Sequence, residues 1–190
     1  MGQQYVEYNP YGQIVQVIDS SVQSLPTKVG LLAVSDAQAW LCLNMPGWSV
    51  VSGALVAPNN QSSAAVLASL QALWITTIST ACQDAIYAGF SSSALGAAYT
   101  YPAKATDQQN LTASIAASLF PGLPNTWTTP FWCADINGLW EFRPHSAAQI
   151  QQVGIDAKNA IVSCMAKNQT LCAQVQSATT IDAVYAVVWS

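Results

Sequence analysis

Phe131-Trp132-Cys133-Ala134-Asp135-Ile136-Asn137-Gly138-Leu139-Trp140-Glu141-Phe142-Arg143-Pro144-His145-Ser146-Ala147-Ala148-Gln149 holds a turn, a strand stop and a helix start in one run. Aromatic runs flank Asn137-Gly138, and both of those residues tolerate positive φ. The pattern therefore predicts a hairpin closed by a two-residue I′ turn, pairing Thr128 to Ile136 with Leu139 to Arg143. Pro144 has no N–H to give and is expected to end the pairing. Ser146 followed by Gln149 is a capping box, in which hydroxyl and amide each take one orphan N–H at a helix start. A long helix should follow, from Ala147 to Ala178, with Ile150, Val153, Ala157, Ile161, Cys164, Leu171 and Val175 inward. Gly154 marks a close helix approach and Asn168 a candidate break. Ile181 to Val188 closes the chain, and Trp189 is expected to pack back.

Upstream the patterns alternate. Tyr5 to Tyr8 and Gln13 to Ile18 read as strands around the turn Asn9-Pro10-Tyr11-Gly12. Val29 to Val34 is a third apolar run. Ser35 and Gln38 form a second capping box, opening a short helix Asp36 to Asn44. Trp48 to Val51 and Ala54 to Ala57 form a hairpin about Ser52-Gly53. Ala64 to Ala88 reads as a long helix closed by Gly89, with Leu67, Leu70, Trp74, Ile78, Ala81 and Ala85 in one stripe. Tyr99 to Tyr101 is an edge-strand candidate ended by Pro102. Thr106 with Gln109 should cap a helix Asp107 to Phe120 carrying Leu111, Ile115 and Leu119. The expected fold class is α+β: a β-rich head (1–58), a linker (59–63), and a helical domain (64–190) with its hairpin at 128–143.

Composition narrows the partners. The chain has 190 residues, 52% of them hydrophobic and only 7% charged, against roughly 25% charged in an average soluble protein. Between Asp36 and Asp84 no residue is charged. A surface with so little ionic repulsion favours lasting association over life as a free monomer. Five Lys plus Arg and a net charge of −4 leave no electrostatic footprint for nucleic acid or an acidic lipid surface. The first residues lack the basic start and apolar core of a signal peptide. Ala64 to Cys82 is uncharged over nearly a spanning length. Its Ser, Thr and Gln residues, and the absence of flanking Lys or Arg, favour burial in protein over membrane. Five cysteines without a C-x-x-C pair, and a single histidine, support neither a metal site nor a disulfide framework. No cofactor is expected.

Chemistry-bearing residues are sparse. His145 reads as a locally hydrogen-bonded residue at the start of the last long helix, since a catalytic base needs a nucleophile and an orienting acid around it. Asp135 and Glu141 form a carboxylate pair of the kind glycosidases use, but solvated hairpin acids are the simpler reading. Trp127, Phe131, Trp132, Trp140 and Phe142 are the densest aromatic cluster. Together with Trp74 they are the candidate interface residues, because Trp and Tyr dominate interface hot spots. Cross-strand packing in a small sheet accounts for the same rings. Alternation puts Trp132, Ala134 and Ile136 on one face and Phe131, Cys133 and Asp135 on the other.

The order of aromatic hairpin, Pro144-His145-Ser146, Ala147-Ala148-Gln149-Ile150-Gln151-Gln152-Val153-Gly154, long helix and final Trp189 resembles a C-terminal domain of bacteriophage tail-fibre and tail-fibre-assembly proteins. Tyr99 to Tyr101 and Asp107 to Leu111 fit that likeness. So do Gln13-Ile14 to Ile18, Ser35-Asp36-Ala37 and Gly53 to Pro58, which resemble the β-rich head of tail-fibre assembly proteins. The resemblance implies a non-enzymatic structural subunit of the virion tail, made in the host cytoplasm and bound to tail or tail-fibre proteins. It also implies self-association, commonly as a trimer, although no long heptad repeat is present. A tail-fibre assembly chaperone released before maturation is the alternative, followed by a host-receptor-binding module and a wall-degrading enzyme.

Overall fold

A computed structural model of the chain describes residues 2–27, 30–58 and 62–190. The fold class is α+β, with antiparallel sheets and long helices, and the chain divides into two compact units. Residues 59–61 of the expected linker, and Val29 of the third apolar run, lie outside the described residues.

The first unit comprises 1–77 with 171–188 and Ser190. Its three-stranded antiparallel sheet has β1 (Gln4–Tyr8) between β2 (Ile14–Asp19) and β3 (Gly30–Val34). The β1–β2 turn is built on Asn9, whose Oδ1 accepts the N–H groups of Tyr11 (3.0 Å) and Gln13 (2.9 Å). Helix α1 (Asp36–Asn44) opens on the predicted box: Ser35 Oγ accepts from Gln38 N (3.2 Å), and Gln38 Oε1 accepts from Ser35 N (2.9 Å). Val6, Val34, Ala39 and Val50 form a small core. Strands β4 (Ser49–Val51) and β5 (Ala54–Val56) make a tight hairpin. Ser52 (φ +52°) and Gly53 (φ +78°) both have positive φ, so the I′ geometry sits here.

Helix α2 (Ser63–Tyr87) buries Val66, Leu70, Trp74, Ile78 and Cys82, spaced four apart. By length and composition alone it is also long and apolar enough to cross a membrane. Within the first unit Trp74 meets Trp40 edge-on (5.1 Å), lies 5.4 Å from the Tyr185 ring, and donates from Nε1 to the Val187 carbonyl (2.8 Å).

The second unit comprises 78–170 with Trp189. It holds a four-stranded antiparallel sheet in the order β6 (Phe90–Ser92), β7 (Tyr99–Tyr101), β8 (Thr128–Ala134), β9 (Trp140–Ser146). Helix α3 (Ala105–Ser118) lies between β7 and β8 in the chain. Helix α4 (Ala147–Ser177) follows β9 directly, and α5 (Ile181–Tyr185) ends the sequence of elements. Phe90, Tyr101, Leu111, Phe131, Cys133, Ile150 and Val153 form the core between sheet and helices. The predicted close approach at Gly154 is made by Ile115, whose Cδ1 occupies the space a Cβ would need. Lys167 places its ammonium 4.7 Å from the centre of the Trp189 ring, the packing-back expected of that residue.

Several expectations are corrected. The Asn137-Gly138 turn is not I′, because Asn137 has ordinary negative φ and only Gly138 is positive (φ +78°). Asp135 begins a three-residue loop instead: Gly138 N donates to Asp135 O (3.0 Å) and Asp135 N to Leu139 O (3.2 Å), a type I turn with Gly in the bulge position. Asp135 Oδ1 takes the N–H groups of Asn137 (2.9 Å) and Leu139 (3.0 Å), an anchor that a two-residue turn would lack. Pro144 does not end the strand. It sits opposite Pro130, a pair that exchanges no N–H bonds, and its own missing N–H faces the free side of edge strand β9.

Tyr99–Tyr101 is an interior strand, because β6 pairs along its other side. The three serines of 91–93 hid β6 from a hydrophobic pattern. Helix α3 starts two residues earlier than predicted. Asp107 Oδ2, not the Thr106–Gln109 pair, reaches back to the N-cap N–H of Lys104 (3.0 Å). Ending at Ser118, α3 leaves Leu119 exposed. Helix α4 passes through Asn168 without a break.

Candidate functional site

Strand alternation sorts the β8–β9 hairpin into two faces. Phe131, Cys133 and His145 point inward and are buried. Trp132, Trp140 and Phe142 point outward and stay 40%, 39% and 67% exposed. Cross-strand register puts Trp132 opposite Phe142 and Ala134 opposite Trp140. The Trp132 ring therefore lies 4.9 Å from Phe142 and stacks on Trp140 at 6.2 Å, with planes 20° apart. Pro130 and Pro144 extend this exposed face. Near Trp140 the surface dips into a hollow of about 370 Å³ bounded by Thr100, Ala134 and Ile136.

The predicted aromatic residues thus separate. Trp132, Trp140 and Phe142 form one open apolar strip. Trp127 is half-buried against the core, Phe131 lies within it, and Trp74 is buried in the first unit. The two buried rings offer nothing to a partner at the surface. Ile136 and Leu139, at the loop tip, are exposed apolar residues that the aromatic pattern overlooked. Their position after Asp135 was the available signal, because a loop that spends its polar side chain on its own backbone must show its apolar ones.

On the opposite face of the hairpin the charges neutralise one another. Arg143 Nη1 lies 2.5 Å from Glu141 Oε1 and its Nη2 lies 3.8 Å from Asp135 Oδ2, while the guanidinium sits 4.9 Å from the centre of the Tyr99 ring. The Leu139 N–H first, with Asn137 and Arg143 behind it, holds the Asp135 carboxyl below its ordinary range. Such a carboxylate stays ionised, the wrong state for a general acid.

His145 is fully buried. Its Nδ1 lies 2.8 Å from the Arg143 carbonyl, which can only accept, so Nδ1 carries the proton. Nε2 then accepts from the Tyr101 hydroxyl at 2.8 Å. Both ring nitrogens are committed, one locally as expected and one to a residue 44 positions away. Burial lowers the His145 pKa, opposed in part by the Arg143 bond. Burial likewise raises Tyr101 and Cys133. Among the described residues no group of three His, Cys, Asp or Glu could hold a metal, and all five cysteines stand as thiols.

The family described as a domain of unknown function, DUF4376, matches residues 69–188, more than half of the chain. The chain belongs to the DUF4376 family. Its matched region includes the whole of the four-stranded sheet, the aromatic strip and α5, and leaves β1 to β5 outside. No curated protein and no solved structure matches this DUF4376 chain.

Proposed function

We propose that this protein is a non-enzymatic component of a bacteriophage tail fibre, retained in the virion and held there by contacts with tail or fibre proteins. The observation that carries the reading is the open strip Trp132–Trp140–Phe142 on a chain with 7% charged residues. Large rings left in water on an open sheet face are the usual anchors of a protein interface. The resemblance of 99–165 to tail-fibre domains supplies the context. Glu141 and Arg143 lie on the opposite face of the hairpin and pair with each other, so the strip itself carries no charge that would direct a nucleic acid or a charged substrate.

Mass spectrometry of washed, purified particles tests the proposal. Retention in stoichiometric amount supports a structural subunit. Absence from particles, with fibres failing to mature in a deletion strain, transfers the reading to an assembly chaperone. Binding of the isolated protein to host-surface glycans, lost in Trp140→Ala, transfers it to receptor recognition.

A further inference from the structure

The tip of the β8–β9 hairpin holds the chain's single Asn-Gly pair, Asn137-Gly138. Asn137 is exposed, and Gly138 has no side chain to shield the peptide nitrogen between them. That nitrogen is the nucleophile of a reaction that needs only water. It attacks Asn137 Cγ, the N–Cγ bond forms as the Cγ–Nδ2 bond breaks, and ammonia leaves. Water then opens the succinimide ring at either carbonyl, giving aspartate or isoaspartate. Nothing is oxidised or reduced, and the net exchange is one water taken up for one ammonia released.

The folded loop opposes the first step. Asn137 is the third residue of the type I turn, a position where ψ is about 0°. Ring closure needs the Gly138 nitrogen on the Cβ side of Asn137, about 120° away in ψ from that turn value. The rotation takes the Gly138 N–H off Asp135 O, to which it donates at 3.0 Å. It also works against Asp135 Oδ1, which holds the N–H groups of Asn137 (2.9 Å) and Leu139 (3.0 Å) on either side of the reacting peptide. We propose that Asn137 is a deamidation site governed by the opening of its own loop, with Asp135 as the positioning residue that holds the loop shut. Conversion proceeds from the open minority, so its rate is that of a free peptide scaled by the open fraction. Isoaspartate cannot restore the turn, because it adds one methylene to the backbone. Either product sets a second carboxylate beside Asp135. The inference does not depend on what the aromatic strip binds.

The test incubates the full chain at neutral pH and body temperature beside acetyl-Asp-Ile-Asn-Gly-Leu-Trp-amide, the same loop without its strands. Peptide mapping by mass spectrometry follows the gain of about 1 Da and resolves aspartate from isoaspartate. Asn137 should convert ahead of every other asparagine, yet about tenfold to a hundredfold more slowly than the peptide, the scale of a few loop hydrogen bonds. Asp135→Ala should close most of that gap. Asp135→Asn, which keeps an acceptor for both N–H groups, should stay within about threefold of the native rate. Amide exchange at Gly138 should rise in step with conversion across the series. A native rate equal to the peptide's, an earlier gain at another asparagine, or no gain at Asn137 over about five hundred peptide half-times overturns the site. An Asp135→Ala rate equal to the native one, or an Asp135→Asn rate as fast as Asp135→Ala, overturns the role of Asp135. The comparison of native chain with peptide needs no variant, so it decides the site even if Asp135→Ala fails to fold.

Discussion

Single positions carry the sharpest constraints. Gly89 ends α2 with φ +99°, and a Cβ there would run into the Tyr101 carbonyl. Backbone cannot swing aside as a side-chain tip can, so Gly89→Ala should cost at least ~2 kcal/mol, read from urea denaturation with an unchanged slope. Ser52 is the opposite case. It is the one non-glycine residue at positive φ among those described, and no packing in the β4–β5 turn demands serine. Ser52→Asn should raise stability by ~0.5 kcal/mol, because asparagine adopts the left-handed region at lower cost. These two residues also show what was legible in the chain. Gly89 could be read as a helix end because glycine follows a long apolar period. The I′ turn fell at Ser52-Gly53 rather than Asn137-Gly138 because Asp135 offered the second loop a side-chain acceptor for two N–H groups. Side-chain capture of backbone outweighed the dipeptide preference.

At the scale of elements, two side chains, Gln71 and His145, join strands and helix ends that no local pattern could relate. Gln71 Nε2 lies within hydrogen-bond distance of the carbonyls of Val175 (3.1 Å), Gln176 (3.2 Å) and Ala178 (3.0 Å), its two hydrogens shared among these acceptors where α4 ends. Gln71→Leu keeps the apolar stem and removes the donors, so it should lower stability by ~1 kcal/mol. His145 ties β9 to β7 through Tyr101. Its folded pKa lies below the ordinary 6.5, so the native imidazole stays neutral while that of the unfolded chain takes up a proton. Stability from this group is complete above that value and falls as pH drops through and below it. No other histidine contributes between pH 7.5 and 5.5. Thermal melting should therefore decline over that interval in the native protein and flatten in His145→Gln, which keeps an acceptor for Tyr101. A slope unchanged in the variant would assign the proton elsewhere. Capping boxes at Ser35 and Ser146, and helices α1, α2 and α4, were readable from spacing. The partner of His145 was not, since a sequence holds no distance between residues 101 and 145.

For the molecule as a whole the decisive quantity is the shortage of charge. A net charge of −4 on 190 residues gives weak mutual repulsion, and the aromatic strip provides a contact that salt does not screen. Sedimentation velocity should show self-association that grows with protein concentration and changes little between low and high salt. Phe142 is two-thirds exposed, so Phe142→Ser removes little packing within the fold. It should shift the midpoint of association at least about tenfold upward, the scale of one interface anchor, while leaving the melting temperature within a few degrees. Leu119 and Phe120, equally exposed at the end of α3, supply the control. If Leu119→Ser with Phe120→Ser disperses the protein as well as Phe142→Ser does, the attraction is general apolar stickiness and the strip has no special part in it. If the native protein stays a single copy at millimolar concentration, lack of charge has not created a need for cover. Such a protein needs no permanent partner to cover it.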